Sequence, residues 1–175
     1  MVSEIEVMAK NISNPAAPHG IIRLGLITFI LVVLDQITKW IILHYLPLHD
    51  AIPVIDGFFN ITHVHNPGGA FGVFANAGPG VRNFFFIGVS LAALALVFYF
   101  YRTTPRSYPV LAVAFALIFS GAVGNLIDRV RFGNVIDFLD FYVGAWHWPA
   151  FNVADSAITV GICICAYHFI FRKMP

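Results

Sequence analysis

The sequence predicts a membrane all-α protein with a small β-element, built on four transmembrane helices. Of its 175 residues, 59% are hydrophobic and only 11% are charged, whereas an average soluble protein has roughly 25% charged residues. The mean hydropathy is +0.81. Four apolar segments are each long enough to cross a hydrocarbon core of about 30 Å, which takes roughly 20 helical residues. The net charge of +1, without a basic cluster, indicates no nucleic-acid binding.

The four predicted spans are residues 21–46, 81–101, 108–126 and 151–171. The first is too long for a removable signal peptide and lacks a small-residue cleavage site, so we expect it to remain as an anchor. Residues 1–19 carry no hydrophobic period and are predicted to form a disordered N-terminal tail. Residues 20–175 are then a single membrane-embedded domain.

An even number of spans puts both termini on one side of the membrane, and the positions of Lys and Arg indicate which side. Six of the ten basic residues flank the termini or the short 102–107 link, and four lie on the other side, so we expect both termini in the cytoplasm. All seven aspartates fall in the outer halves of spans or in the two long outer links, 47–80 and 127–150. Any chemistry therefore faces outward. The seven are Asp35, Asp50, Asp56, Asp128, Asp137, Asp140 and Asp155.

The two outer links differ in composition. Residues 51–74, "AIPVIDGFFNITHVHNPGGAFGVF", mix β-branched and aromatic residues with turn signals, which predicts a small outer β-element at about 47–80. The second link, at about 131–150, is rich in aromatic residues and is expected to lie in the membrane interface. Its large apolar side chains are Phe132, Phe138, Leu139, Phe141, Tyr142, Trp146 and Trp148.

Charged residues inside a span are costly, at about 2.5–3.5 kcal/mol each near the bilayer centre, so each needs a physical reason. Asp35 and Lys39 are four residues apart and share one helix face, which predicts an ion pair. Asn125, Asp128 and Arg129 also share a face. For Asp128 and Arg129 a structural ion pair is likewise the favoured interpretation over direct chemistry.

Asp137 and Asp155 have no such local partner. Taken singly, Asp137 is typical of a turn and Asp155 of a helix N-terminus. If the fourth span begins at Phe151, Asp155 lies about 6 Å into it, with Asn152 one turn before it on the same face. Together the two aspartates suggest a carboxylate pair, in which repulsion leaves one shared proton at neutral pH. Such a pair activates a water with one carboxylate and stabilises the substrate carbonyl with the other.

Five motifs occur here in the order seen in the lipoprotein signal peptidases (signal peptidase II): "LDQITK", "NPGGAFG", "GAVGNLIDR", "NVIDF" and "FNVADS". The sequence resembles that family from about Asp35 to Ile158. The resemblance implies four transmembrane helices, an extracytoplasmic β-cradle and an interfacial helix. It also implies an aspartic endopeptidase of the bacterial cytoplasmic membrane, which works without a cofactor and cuts diacylglyceryl-modified prolipoproteins before the lipidated cysteine.

By the same resemblance, Asp137 and Asp155 match the family's catalytic dyad. The motif residues around the active site correspond to Asn66, Gly68, Asn125, Arg129, Asn152 and Ala154, and the supporting charged residues to Asp35, Lys39 and Asp128. Asn66 and Arg129 are the candidates for contacts to the substrate backbone or lipid, since an amide and a guanidinium offer fixed donors. The expected partners are the prolipoprotein, membrane lipids and a globomycin-type inhibitor, with the protein a monomer.

Other features support different interpretations. A proton-coupled transporter would use Asp35, Asp128 and Asp155 as a relay, but no aspartate lies in the inner half of a span; a non-enzymatic scaffold would not need two unpaired aspartates. His63 and His65 suggest a zinc site, yet without Cys or an H-E-x-x-H helix no metal is predicted. Gly121 and Gly124 are expected to allow close helix approach.

Overall fold

A computed structural model describes residues 20–68 and 78–171 of the chain. The tail predicted at 1–19, and the basic residues Arg172 and Lys173, lie outside the described residues. Among the described residues, four helices are long and apolar enough to cross a membrane, which confirms the predicted spans. They are α1 (Ile21–Tyr45), α2 (Pro79–Thr103), α3 (Pro109–Phe132) and α4 (Val153–Phe171).

The helix boundaries differ from the prediction at the C-terminal end of α3 and the N-terminal end of α4. Helix α3 continues to Phe132, six residues beyond the predicted end, because it stops only where Gly133 adopts a left-handed conformation with φ of 75°. Helix α4 begins at Val153 rather than Phe151. Asp128 and Arg129 therefore lie within regular helix, and Asp155 lies in the first turn of α4.

The predicted β-element is confirmed, and it is larger than predicted. Four antiparallel strands lie in chain order in one sheet. The first two come from the first outer link, and the other two come from the aromatic link at 131–150. The strands are β1 (Ala51–Ile55), β2 (Phe59–Asn66), β3 (Val135–Val143) and β4 (Trp146–His147).

The aromatic link does not form an interfacial helix. Among the described residues, the only α-helices are the four spans, and the link pairs with the sheet as β3 and β4. Its rings pack on the sheet and on the start of α4: Phe141 stacks on Phe59 at 4.6 Å and on Phe151 at 5.9 Å between ring centroids. The aromatic residues therefore serve packing within the β-element.

The strand register places two predicted site residues side by side. Asp137 of β3 is opposite Val64 of β2, and Asn66 is opposite Val135. Because side chains alternate along a strand, Asn66 and Asp137 lie on the same face of the sheet as diagonal neighbours. An antiparallel bridge between Leu139 and Phe151 then connects β3 to the residue just before α4.

Helix α3 is the centre of the bundle, in contact with the other three helices. Its closest approach is to α4, and glycines make this possible. A Cβ on Gly121 would collide with the backbone oxygen of Ala154, and one on Gly161 would lie 2.7 Å from the backbone oxygen of Ala114. The expected close approach at Gly121 is thus observed.

Gly121→Ala should destabilise the protein by about 1–3 kcal/mol, because the added methyl group must push α4 away from α3. Gly88→Ala is the matched control, since Gly88 also lies in a span but has open space where its Cβ would be. Thermal unfolding of the detergent-purified variants measures the difference. Equal unfolding temperatures for the two variants would contradict the packing argument.

Candidate active site

A buried cluster of three charges joins α1 to α3. Lys39 Nζ lies 2.9 Å from Asp35 Oδ2 and 2.7 Å from Asp128 Oδ2, and none of these side chains is more than 2% exposed. The predicted Asp35–Lys39 pair is confirmed. The predicted pair of Asp128 with Arg129 is wrong, because consecutive helical residues do not face each other; the partner of Asp128 is Lys39 on another helix.

The two carboxylates of this cluster also bind backbone N–H groups of other elements. Asp35 accepts a hydrogen bond from the N–H of Ala154 at 3.0 Å. Asp128 accepts one from the N–H of Ile136 at 3.2 Å and another from the Gln36 side chain at 2.9 Å. Ala154 and Ile136 each immediately precede one of the two candidate catalytic aspartates. The charge cluster therefore fixes the backbone on which both are carried.

Asp155 is held in a reciprocal cap at the start of α4. Its N–H donates to Asn152 Oδ1 at 2.9 Å, and its Oδ2 accepts from the N–H of Asn152 at 3.2 Å. Its other oxygen accepts from Asn125 Nδ2 at 2.7 Å. A carboxylate in the first turn also interacts favourably with the helix dipole. Asp155 is thus both a helix-capping residue and part of the candidate site.

Asp137 lies on β3 and is 1% exposed. It accepts hydrogen bonds from Asn152 Nδ2 at 2.7 Å and from Asn66 Nδ2 at 2.9 Å. Burial raises the pKa of Asp137 to about 7, with a smaller upward contribution from the charge of Asp155, while the two amide hydrogen bonds lower it in part. A carboxyl that titrates near neutrality is suited to proton transfer.

Asparagine side chains connect the two aspartates. Asn152 binds Asp137 through its side chain and Asp155 through its backbone N–H. Asn125 donates to Asp155, and its oxygen accepts from both Asn152 at 3.1 Å and Lys39 Nζ at 3.2 Å. The predicted residues Asn125 and Asn152 therefore belong to one hydrogen-bonded network with the aspartates.

Asn66 and Gly68 lie at the open side of the site. Asn66 is exposed, and its Oδ1 accepts the N–H of Gly68 at 2.9 Å. Gly68 has a φ of +80°, and a Cβ there would lie 2.7 Å from a ring atom of Phe86. Both facts require glycine at this position. The turn that orients Asn66 toward Asp137 thus depends on Gly68.

Arg129 is half-buried beside the aspartates and makes no close ion pair. Its Nη1 lies 3.4 Å from the backbone oxygen of Asn125, and its guanidinium is 5.8 Å from the ring centroid of Phe86. No carboxylate among the described residues is within 4.0 Å of it, although the charge of Asp155, and then that of Asp137, acts on it most strongly. Arg129 therefore supplies positive potential to the site without neutralising either aspartate directly.

One further residue of the network was not assigned from the sequence. Gln36, within the first motif, donates to Asp128 and accepts from Arg131 at 3.2 Å. The position of Gln36 next to Asp35 in the first motif is the feature of the sequence that could have identified it as part of the network. In the described residues, no group of three or more His, Cys, Asp or Glu side chains is arranged to hold a metal ion.

Comparison with known proteins gives a consistent result. The family model described as "Signal peptidase (SPase) II" matches residues 27–171. A lipoprotein signal peptidase of Desulforapulum autotrophicum is 56% identical over 157 residues, which is 90% of this chain and 97% of that protein. One of Syntrophus aciditrophicus is 50% identical over 144 residues, or 82% and 89% of the two chains.

A solved structure also matches the fold. It is described as a bacterial membrane enzyme structure obtained by the in meso method at 1.9 Å resolution. The TM-score is 0.79 and the sequence identity 33%, with 90% of this chain and 98% of that chain covered.

Asp137→Asn should stabilise the fold at pH 8 relative to wild type, because it removes a carboxylate that is costly to ionise. The pKa of Asp137 is about 7 in the folded protein and near 3.8 when exposed. The wild type therefore loses stability as the pH rises from about 4 to 7, by on the order of a few kcal/mol, and the loss persists above pH 7.

The measurement is thermal unfolding of this variant and wild type at pH 5 and pH 8, with the exposed Asp56→Asn as control. The advantage of Asp137→Asn should be larger at pH 8. An advantage that is equal at both pH values would show that Asp137 ionises without a burial cost.

Lys39→Met should cost about 3–5 kcal/mol of stability, because it leaves Asp35 and Asp128 buried without their cation. Arg131→Met is the control, since Arg131 is an exposed cation in the last turn of α3. Thermal unfolding at pH 7 measures the stability of both variants relative to wild type. Similar small effects for the two variants would mean that the buried cluster is not needed to hold α1 and α3 together.

Proposed function

Since the chain belongs to the signal peptidase II family, we propose that it removes the signal peptide from lipoprotein precursors with Asp137 and Asp155 as its catalytic dyad. The observation that carries the assignment is the connection of both carboxylates through Asn152, beside the exposed Asn66. Asp137 is nearly inaccessible to solvent and has a pKa near 7. Two neighbouring carboxylates of this kind are what metal-free hydrolysis of a peptide bond requires.

In the proposed mechanism, Asp137 carries the proton in the resting enzyme and Asp155 is ionised. The raised pKa of Asp137 supports the placement of the proton on that residue. Asp155 accepts two N–H hydrogen bonds at a helix N-terminus, which is an environment suited to a carboxylate. Asp155 takes a proton from a water, which attacks the scissile carbonyl carbon. Asp137 donates its proton to the carbonyl oxygen, and a proton is then returned to the leaving amine as the C–N bond breaks.

The proposal includes the substrate and its contacts. The substrate is a prolipoprotein whose cysteine carries a diacylglyceryl group, and the cut falls just before that cysteine. The amide of Asn66 has a second N–H that no described residue accepts, and Arg129 has no close carboxylate partner among them. Both groups can therefore donate to substrate carbonyl or ester oxygens at the edge of the dyad.

The chain is a multi-pass membrane protein, and we place it in the bacterial cytoplasmic membrane as a monomer with both termini in the cytoplasm. The dyad lies where α4 begins and where the sheet meets the bundle, at the end we assign to the outer face. That position lets a membrane-anchored substrate present its cleavage site laterally from the lipid. The three aspartates of the alternative transporter relay are gathered at this same end rather than spread through the membrane.

Asp137→Asn and Asp155→Asn should each lower cleavage of a diacylglyceryl-modified prolipoprotein by at least about 100-fold, without added metal, because each removes one partner in proton transfer. Asp140→Asn is the matched control: Asp140 is also a buried aspartate of β3, but it bonds to Asn60 and His147. This variant should retain activity. The assay follows release of the signal peptide by gel mobility or mass spectrometry.

Thermal unfolding shows whether each variant is folded. In a separate control on the wild type, globomycin should compete with the substrate. Near-normal cleavage by folded Asp137→Asn or Asp155→Asn would exclude the dyad. Loss of cleavage in Asp140→Asn to the same extent would show that the effect is not specific to these two carboxylates.

A further inference from the structure

A pair of histidines lies on β2, on the side of the strand away from the dyad. His65 is opposite Ile136 in the register, so it faces away from Asn66 and Asp137. The Nε2 atoms of His63 and His65 are 3.1 Å apart, and their ring planes are inclined at 60°. Neither side chain takes part in the proposed catalytic network.

The tautomer of His63 follows from its other contact. Its Nδ1 lies 2.8 Å from the backbone oxygen of Leu46, which can only accept a hydrogen bond. Nδ1 therefore carries the proton, and in the neutral ring the lone pair is on Nε2, directed toward His65. A histidine whose second nitrogen donates to a backbone carbonyl is the usual arrangement of a metal ligand, because that bond fixes both tautomer and ring orientation.

The spacing of the two nitrogens also suits a metal. With metal–nitrogen bonds of about 2.0–2.1 Å, two ligands are about 3.3 Å apart in a tetrahedral site and about 2.9 Å apart when they are at right angles. The observed 3.1 Å lies between these values. A metal can therefore replace the proton of the hydrogen bond between His63 and His65 with only small movement of either ring.

His49 is the candidate for a third ligand, because its backbone pairs with that of His63. It is exposed, its N–H donates to the backbone oxygen of His63 at 2.9 Å, and it has a left-handed φ of 71°.

We propose that His63 and His65 form a binding site for a divalent transition metal that prefers imidazole, such as Zn²⁺ or Cu²⁺, with His49 or water completing the coordination. The described residues hold no preformed set of three ligands, so the site consists of two fixed histidines and positions that fill on binding. His63 also links the site to the residue after α1, through the contact of its Nδ1 with the backbone oxygen of Leu46. The site is distinct from the dyad.

The test is calorimetric titration of the full-length protein with Zn²⁺ in detergent, after removal of any polyhistidine tag. We expect one equivalent per chain, at least tenfold weaker binding in His65→Gln and in His63→Gln, and a three- to tenfold loss in His49→Gln. His147→Gln is the control, an exposed histidine of the same sheet whose Nδ1 contacts Asp140. It should bind as wild type does.

His65→Gln keeps the His63–Leu46 contact, so it tests the site even if His63→Gln fails to fold. Absence of saturable Zn²⁺ binding in wild type, or equal binding by wild type and His65→Gln, would overturn the proposal. An equal loss in His147→Gln would do the same, because it would indicate nonspecific surface binding. The readout is binding, so its outcome does not depend on whether Asp137 and Asp155 are catalytic.

Discussion

Lys39 lies between two buried carboxylates, and the geometry of the candidate site depends on that arrangement. Asp35 binds the N–H of Ala154 and Asp128 binds the N–H of Ile136, each one residue before a dyad aspartate. Removing charges from water is expensive, and the cost is offset only when every partner is in place. The cluster therefore has all its partners only when α1, α3, α4 and β3 come together.

The contacts with the dyad itself are made by neutral amides. Lys39 reaches Asp155 only through Asn125, whose oxygen accepts from the ammonium and whose nitrogen donates to the carboxylate. A cation in direct contact with Asp137 would hold its carboxyl ionised. Amide donors orient a carboxylate without adding charge, so the pKa of Asp137 can remain near 7. This explains why the charged cluster binds the residues that precede the two dyad aspartates, whereas asparagines contact the dyad aspartates directly.

The sequence predicted most of the helical fold, because length and hydropathy decide which segments can span a membrane. It also predicted the Asp35–Lys39 pair, which depends only on helical spacing. The Lys39–Asp128 pair could not be predicted in this way, since it depends on how two helices pack. The strand β3 was missed because Val135, Ile136, Asp137 and Phe138 are all buried, which leaves no alternation of polar and apolar residues to read.

The glycines of α3 connect helix packing to the site. A Cβ on Gly124 would lie 2.7 Å from Asp35 Oδ2 and 3.2 Å from the Cβ of Ala154. Asp35 belongs to α1, so its carboxylate can reach the first turn of α4 only by passing the surface of α3. Gly124 provides that space. A small residue here is thus required by the charge network as well as by the approach of two helices, since without it Asp35 could not bind the N–H of Ala154 next to Asp155.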